Sequence, residues 1–236
     1  MAKLIKELSV FLPAYNEEKH VKTTTLKVKK VLEKVADKWE IIVINDGSKD
    51  KTGVIADELA NKFKNKIRII HHSPNRGYGA ALKSGLYNSR YSWIAFIDID
   101  GQFDFTEVPV LIEKQKQTGA DLVVGFYKKR AVPFYRKLNT FAWQVIVRIL
   151  FGLNVRDIDC GFKLIKRKVV EKIPKLESER GAFISSEFLI KAQKLGFKIV
   201  EVGVTHYPAT RKGTGAAINV IIKSFVDLFR LWRKLR

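Results

Sequence analysis

Asp98 and Asp100, separated only by Ile99, close the apolar run Trp93-Ile94-Ala95-Phe96-Ile97. On an extended chain, side chains two apart point the same way, so these carboxylates are expected to crowd together. Like charges at that distance repel unless something positive lies between them. Mg²⁺ or Mn²⁺ bound with a diphosphate fits, because such ions use one or two carboxylates together with phosphate oxygens and water. Gln102, two residues on, could add an oxygen ligand or orient a bound water. An Asp-x-Asp in isolation is equally a solvated turn.

Three more polar clusters follow apolar runs. LPAYNEE (12–18) follows LSVFL, INDGSKDKT (44–52) closes EIIVI, and NRGYGAALKSG (75–85) follows Ile67–Ile70. The first carries acids that suit a helix N-terminus. In the second, Gly47 permits a tight turn and Ser48 can cap a helix. The third sets Arg76 and two glycines before a helix, where backbone N–H groups suit an anion. It is neither a Walker loop nor GxGxxG.

The elements that must position these clusters alternate. Strands at 8–12, 40–44, 67–70 and 93–97 are separated by helices over about 19–37, 50–63 and 79–89, the first striped by Val21, Val28, Val31, Leu32 and Val35. Strands apolar on both faces predict an α/β fold with a mostly parallel sheet covered by helices on both sides. Ligands on such sheets bind beyond the strands' carboxyl ends, which is where each cluster falls. Further on, a strand is expected at 121–125, a helix at 134–151, a strand at 199–205 and an amphipathic helix at 217–235. The chain is divided as residues 1–210, a catalytic domain, and 211–236, a basic loop with the amphipathic helix.

The 236 residues carry 44 Lys and Arg against 24 Asp and Glu, a formal charge of +20, and 46% are hydrophobic. That suffices for a packed core and excludes a disordered chain. The excess charge points to an anionic partner or to a lysine-rich solvated surface. The single cysteine, Cys160, excludes an internal disulfide. No signal peptide or membrane-spanning run is expected, so the chain is read as soluble or lying on a membrane. The His71-His72 pair and His206 lack a matching zinc cluster and are read as structural.

This ordered set, with RDIDCGFKLIKR (156–167) and the stretch from Glu179 through Glu187 to HYP (206–208), resembles family 2 glycosyltransferases of GT-A fold. It is most similar to the dolichyl-phosphate mannose and glucose synthases, from about Leu8 to Tyr207. The resemblance implies transfer of glucose or mannose from a UDP- or GDP-linked donor to a polyprenyl or dolichyl phosphate, with inversion and with Mg²⁺ or Mn²⁺. It implies that Pro13, Tyr15 and Glu17 line the nucleotide pocket and that Asp46 bonds the base or ribose. Asp98 would contact ribose or metal, and Asp100 would be the principal metal ligand. Asp159 and Glu187 complete the acids; Glu187, placed before a helix, would be a base or acceptor-positioning group. Arg76 and Arg211 would face the donor diphosphate, and Arg130 and Arg136 the acceptor phosphate. Tyr127 stands where relatives carry arginine. The same resemblance implies a cytoplasmic protein peripheral on the inner face of a membrane.

The helix at 217–235, with Ile218, Ile222, Phe225, Phe229 and Trp232 near one face and basic residues around it, can lie on an anionic membrane. It could equally pack on the domain or on a second protomer, forming a homodimer. Transfer to a sugar hydroxyl is the competing reaction and would need a general base. The Gln-x-x-Arg-Trp signature of processive synthases is absent. A nucleic-acid-binding role predicts basic-aromatic surfaces without acids at the strand ends, so no nucleic-acid partner is expected. A noncatalytic nucleotide-sugar-binding relative is the remaining reading.

Overall fold

The structure, a computed structural model, describes residues 3–129, 134–179, 181, 183–208 and 218–235, without the side chains of 134–138 and 218–222. The chain runs β1 (Ile5–Ala14), α1 (Val21–Val35), β2 (Ala36–Asn45), α2 (Thr52–Lys62), β3 (Ile67–His71), α3 (Tyr78–Asn88) and β4 (Trp93–Ile97). It continues through α4 (Val108–Thr118), β5 (Leu122–Tyr127), α5 (Phe134–Phe151), β6 (Phe162–Lys166), α6 (Arg167–Lys172), α7 (Phe183–Lys194), β7 (Ile199–Val204) and α8 (Ile218–Leu235).

Alternation along each strand divides its residues between two cores. Leu8, Val10, Leu12, Ile41 and Val43 face one side, packed with Val21, Val28 and Leu32 of α1 and Leu111 of α4. Phe11, Ile42 and Ile44 face the other, packed with α3, α6, α7 and Leu228 and Leu231 of α8. This is the α/β architecture expected, with helices on both faces of one seven-stranded sheet.

The strand order is β3-β2-β1-β4-β6-β5-β7. The first four strands are mutually parallel, as are β5 and β7. The strand β6 runs antiparallel to both neighbours and was not anticipated as a strand. Its sequence, FKLIK, hides Lys163 in the core, which breaks the apolar pattern by which a buried strand is recognised. The reversal matters, because pairing Phe162 with Ile97 sets the loop before β6 beside the carboxyl end of β4. Pro13, in a central strand, pairs with Ile44 on the β2 side, while the β4 ladder covers only Ser9 to Phe11. The missing N–H therefore costs no ladder bond on that side.

Among the described residues no helix is long and apolar enough to cross a membrane. One face of α8 packs into the domain core, and Lys234 reaches the Glu177 carboxylate.

Candidate active site

Strand order reverses between β1 and β4, the position at which open α/β sheets form a ligand crevice. The segment after β1 and the turn after β4 both emerge there. The strand β4 ends at Ile97, one residue before Asp98. The two aspartates therefore lie on a turn, and the strand periodicity that predicted their common side does not itself place them. The turn keeps the alternation, with Ile99 buried between two partly exposed acids.

Asp98 is held from two directions. The Tyr78 hydroxyl donates to its Oδ1 at 3.0 Å, and Gly161 backs its Oδ2 so closely that a Cβ there would lie 2.1 Å away. Burial, then the charges of Asp100 and Glu17, raises the Asp98 carboxyl to about 7, against the Tyr78 bond and the Lys163 charge. Asp100 accepts from the Gln102 N–H at 3.0 Å. Its carboxyl is also raised by burial and Glu17, with His20 opposing. Glu17 carries an ion-pair contact of its own, 2.9 Å from His20 Nδ1. The Glu17 charge thus acts on both Asp98 and Asp100.

The segment after β1 is laced to the segment after β2. Asn16, at φ 56°, donates its N–H to Ser48 Oγ at 2.9 Å and accepts from Lys49 N at 2.8 Å. Glu17 N donates to Thr52 Oγ1 at 2.7 Å. A positive φ in a non-glycine residue persists only where surroundings enforce it, and here Ser48 and Lys49 of the β2–α2 turn hold Asn16 while Thr52, at the start of α2, holds its neighbour Glu17. Pro13 is buried at the root of this segment and Tyr15 partly exposed beyond it.

Asp46, expected to bond the base or ribose, has partners within the fold. Its buried carboxylate lies 2.6 Å from His72 Nδ1 and accepts from Asn75 Nδ2 at 2.7 Å, Arg76 N at 3.0 Å and Gly77 N at 2.8 Å. The N–H groups before α3, read as a cradle for a ligand anion, are directed at this internal carboxylate instead. Gly47, at φ +67°, is needed for the turn, since a Cβ would meet Asn75 N at 2.6 Å. The structural reading of His72 fits these contacts, its Nε2 lying 2.8 Å from Ser84 Oγ. His71 likewise joins Asn45 and Asp57.

Arg76 reaches outward and pairs with Glu179 at 3.0 Å, as does Lys83. Those two cations hold the Glu179 carboxyl below its ordinary range. Glu187 does not precede its helix but lies inside α7. Its Oε1 accepts from Glu177 N at 2.8 Å and Lys191 Nζ at 2.6 Å, and its Oε2 from Ser178 N at 3.0 Å and Ser178 Oγ at 2.6 Å. Burial raises this carboxyl, but the four donors outweigh it and hold it below its usual range.

Asp159 lies in the turn before β6, near enough for its charge to act on Tyr78 and Lys163. Sequence reasoning missed both of those residues. Lys163 is 1% exposed, sits 5.1 Å from the Phe96 ring and donates to the Cys160 carbonyl. Burial lowers its ammonium pKa, with Cys160, Asp159, Asp98 and Asp157 opposing. Its signal was a lysine two residues after a glycine at the mouth of an apolar strand, legible only once that strand is known to be antiparallel.

Gln102 Nε2 bonds the Tyr207 carbonyl at 3.3 Å and lies 3.2 Å from His206 Nε2. Tyr127 packs edge-on to His206, with ring centroids 4.4 Å apart, and stacks on Phe103 at 5.9 Å. His206 thus joins the site's rim through Gln102 and Tyr127. Arg130 and Arg211 lie outside the described residues, as does the side chain of Arg136.

A GT-A sheet whose switch point gathers acids after β1 and β4 defines the glycosyltransferase class. Residues 9–174 match the sequence family described as glycosyl transferase family 2, and the chain belongs to that family. It is a hexosyltransferase of the branch that resembles the dolichyl-phosphate sugar synthases. The dolichyl-phosphate beta-glucosyltransferase of Dictyostelium discoideum is 33% identical over 216 residues, covering 84% of this chain and 65% of that one. The Homo sapiens dolichyl-phosphate beta-glucosyltransferase is 32% identical, over 84% of this chain and 67% of that one. Glucosyl-3-phosphoglycerate synthase from Mycobacterium tuberculosis, solved with Mn²⁺, uridine diphosphate and phosphoglyceric acid, superposes with a TM-score of 0.75 at 21% identity. That match covers 96% of this chain and 78% of that one, and supports the fold alone.

Proposed function

We propose that the protein transfers a hexose, glucose or mannose, from a UDP- or GDP-linked donor to a polyprenyl or dolichyl phosphate at a membrane surface. The observation that carries this reading is the gathering of Glu17, Asp98 and Asp100 at the β1/β4 switch point. There burial raises both aspartate carboxyls, with the charges of Asp100 and Glu17 adding to it at Asp98 and that of Glu17 at Asp100. Such a site suits a divalent cation. Among the described residues no cluster of three or more His, Cys, Asp or Glu forms a full ligand set. Asp98 and Asp100 would then hold Mg²⁺ or Mn²⁺ with diphosphate oxygens and water completing its shell. When bound, the ion supplies positive charge where the leaving nucleotide develops negative charge.

The chain's own residues do the rest. Tyr78 and Gly161 fix the Asp98 carboxylate. Lys163 places a buried cation beneath it. Asp46 holds the 75–77 loop, which aims Arg76 outward, and a donor diphosphate would compete with Glu179 for that guanidinium. An acceptor phosphate with a second pKa near ~6 is already a dianion at neutral pH. Its oxygen attacks the anomeric carbon as the bond to the departing nucleotide breaks, which inverts the configuration and requires no general base. The four donors on Glu187 agree with that economy, and we assign Glu187 to holding the 177–178 loop. Arg130 and Arg136 remain the proposed acceptor-phosphate residues.

Radiolabelled UDP-glucose and GDP-mannose, each incubated with Mn²⁺ and a short polyprenyl phosphate, test the reaction. Label should enter the organic phase from one donor only. Asp100→Ala should fold and lose at least ~100-fold in turnover; full activity in that variant would sink the site assignment.

A further inference from the structure

The segment after β7 is stitched to the turn that follows Asp100. Phe103 and His206 form an antiparallel bridge, and the Tyr207 N–H donates to the Gln102 backbone carbonyl at 2.9 Å. One residue earlier, Thr205 gives its N–H and its hydroxyl to the Glu107 carboxylate, at 2.8 and 2.9 Å. These contacts join residues 98 to 105 positions apart in sequence. They set the His206 imidazole beside Gln102, whose own backbone N–H is held by Asp100 Oδ1 at 3.0 Å.

Chemistry then decides how the Gln102 amide is oriented. Its Nε2 lies 3.3 Å from the Tyr207 carbonyl oxygen and 3.2 Å from His206 Nε2. A carbonyl oxygen only accepts, so the end of the amide that faces it is the NH2 group. The second N–H meets His206 Nε2, which must present its lone pair and leave the ring proton on Nδ1. Both donors of the amide are thereby engaged. Its oxygen accepts no hydrogen bond from the described residues and stays available to a hard cation, which takes oxygen ligands. The imidazole is itself wedged in place. Phe103 meets it edge-on with centroids 5.4 Å apart, and Tyr127 does so at 4.4 Å. Tyr127, standing where relatives carry arginine, contributes a ring that steadies the histidine.

We propose that His206 is a positioning residue, fixing the Gln102 amide so that its oxygen, and not its nitrogen, is offered to the divalent cation. An unrestrained glutamine amide can present either end, and its N–H edge repels a cation. The Tyr207 carbonyl and the imidazole together remove that choice before the ion arrives. His206 does not ligate the ion, because the Nε2 lone pair is committed to Gln102 and Nδ1 carries the proton. Partners that orient a ligand in this way change metal affinity by about ten- to a hundredfold. This inference deepens the divalent-cation reading of Asp98 and Asp100 and rests on it.

The test is equilibrium dialysis of the full chain against radiolabelled UDP and, separately, GDP, in Mn²⁺ and in EDTA. The gain in nucleotide affinity that Mn²⁺ confers reports the seat of the ion, and retention in EDTA reports the pocket without it. His206→Phe keeps a ring against Tyr127 and Phe103 but removes the acceptor, and should reduce that gain about tenfold or more. His206→Gln, which brings an amide oxygen near the position of Nε2, should restore most of it. Gln102→Ala should lose as much as His206→Phe, and the double variant no more than either, because both act through one ligand. A wild-type gain in His206→Phe overturns the proposal, as does a loss that His206→Gln fails to restore. Losses that add in the double variant also overturn it, for His206 would then touch the ion directly. If His206→Phe does not fold, His206→Asn, too short to reach Gln102, takes its place with the same expected loss. Equal binding by the wild type in Mn²⁺ and in EDTA sinks the divalent-cation reading itself, and this inference with it.

Discussion

Gly161→Ala moves the Asp98 carboxylate without touching its chemistry. Gly161 is not among the glycines at positive φ, so alanine introduces no backbone strain. The added Cβ would stand 2.1 Å from Asp98 Oδ2, 2.7 Å from its Cγ and 3.1 Å from Phe103 Cε2, where ordinary contact begins at 3.4 Å. Relief requires about 1.3 Å of carboxylate movement. The Tyr78 hydroxyl and the surrounding burial prevent Asp98 from swinging freely. A displacement of about 1 Å in a positioned group costs on the order of 100-fold in rate, so turnover should fall by at least that factor. Overpacking costs about 1–3 kcal/mol, which for a chain of this size lowers the melting temperature by roughly 2–12 °C. The assay is label transfer to polyprenyl phosphate with saturating Mn²⁺, beside thermal melting followed by circular dichroism. A folded variant with wild-type turnover would show that the position of the Asp98 carboxylate is irrelevant to the reaction.

Glu40 should govern part of the acid stability. Burial pushes its carboxyl up, but bonds from Arg68 at 2.8 Å, Ser9 at 2.7 Å and the Arg90 N–H at 2.8 Å outweigh it, and the net pKa is lowered. The stabilisation is therefore full above the unfolded value near ~4.3 and is lost as pH falls through the folded one. Glu40→Gln should lower stability at pH 7 by about 2–3 kcal/mol and flatten its decline below pH 5; urea titrations across pH check this, and an unchanged acid slope refutes it. Glu187→Gln should cost about 3 kcal/mol, or roughly 6–12 °C in melting temperature, by unbalancing the buried pair with Lys191. It should leave the pH dependence of turnover unaltered, whereas loss of an acidic limb in the rate profile would restore Glu187 as a base.

The sequence by itself determined the α/β class, the alternation of the first four strands and helices, and the Asp-x-Asp that follows the fourth strand. Those features follow from local rules: continuous apolar runs, turn residues and an Asp-x-Asp after a buried strand. Its motifs, taken in order, sufficed for the family. Tertiary structure decided what each polar residue faces. For Asp46 it supplied His72 and the N–H groups of 76 and 77, partners some thirty residues away in sequence. For Glu187, expected before a helix, it supplied a place inside α7 and bonds to the N–H groups of 177 and 178. Tyr78 and Lys163 were missed, for a buried lysine inside an apolar strand becomes intelligible only when the antiparallel β6 brings its charge to act on Asp98. Periodicity is a property of a single segment, whereas a carboxylate's role depends on which donors the fold brings within 3 Å of it.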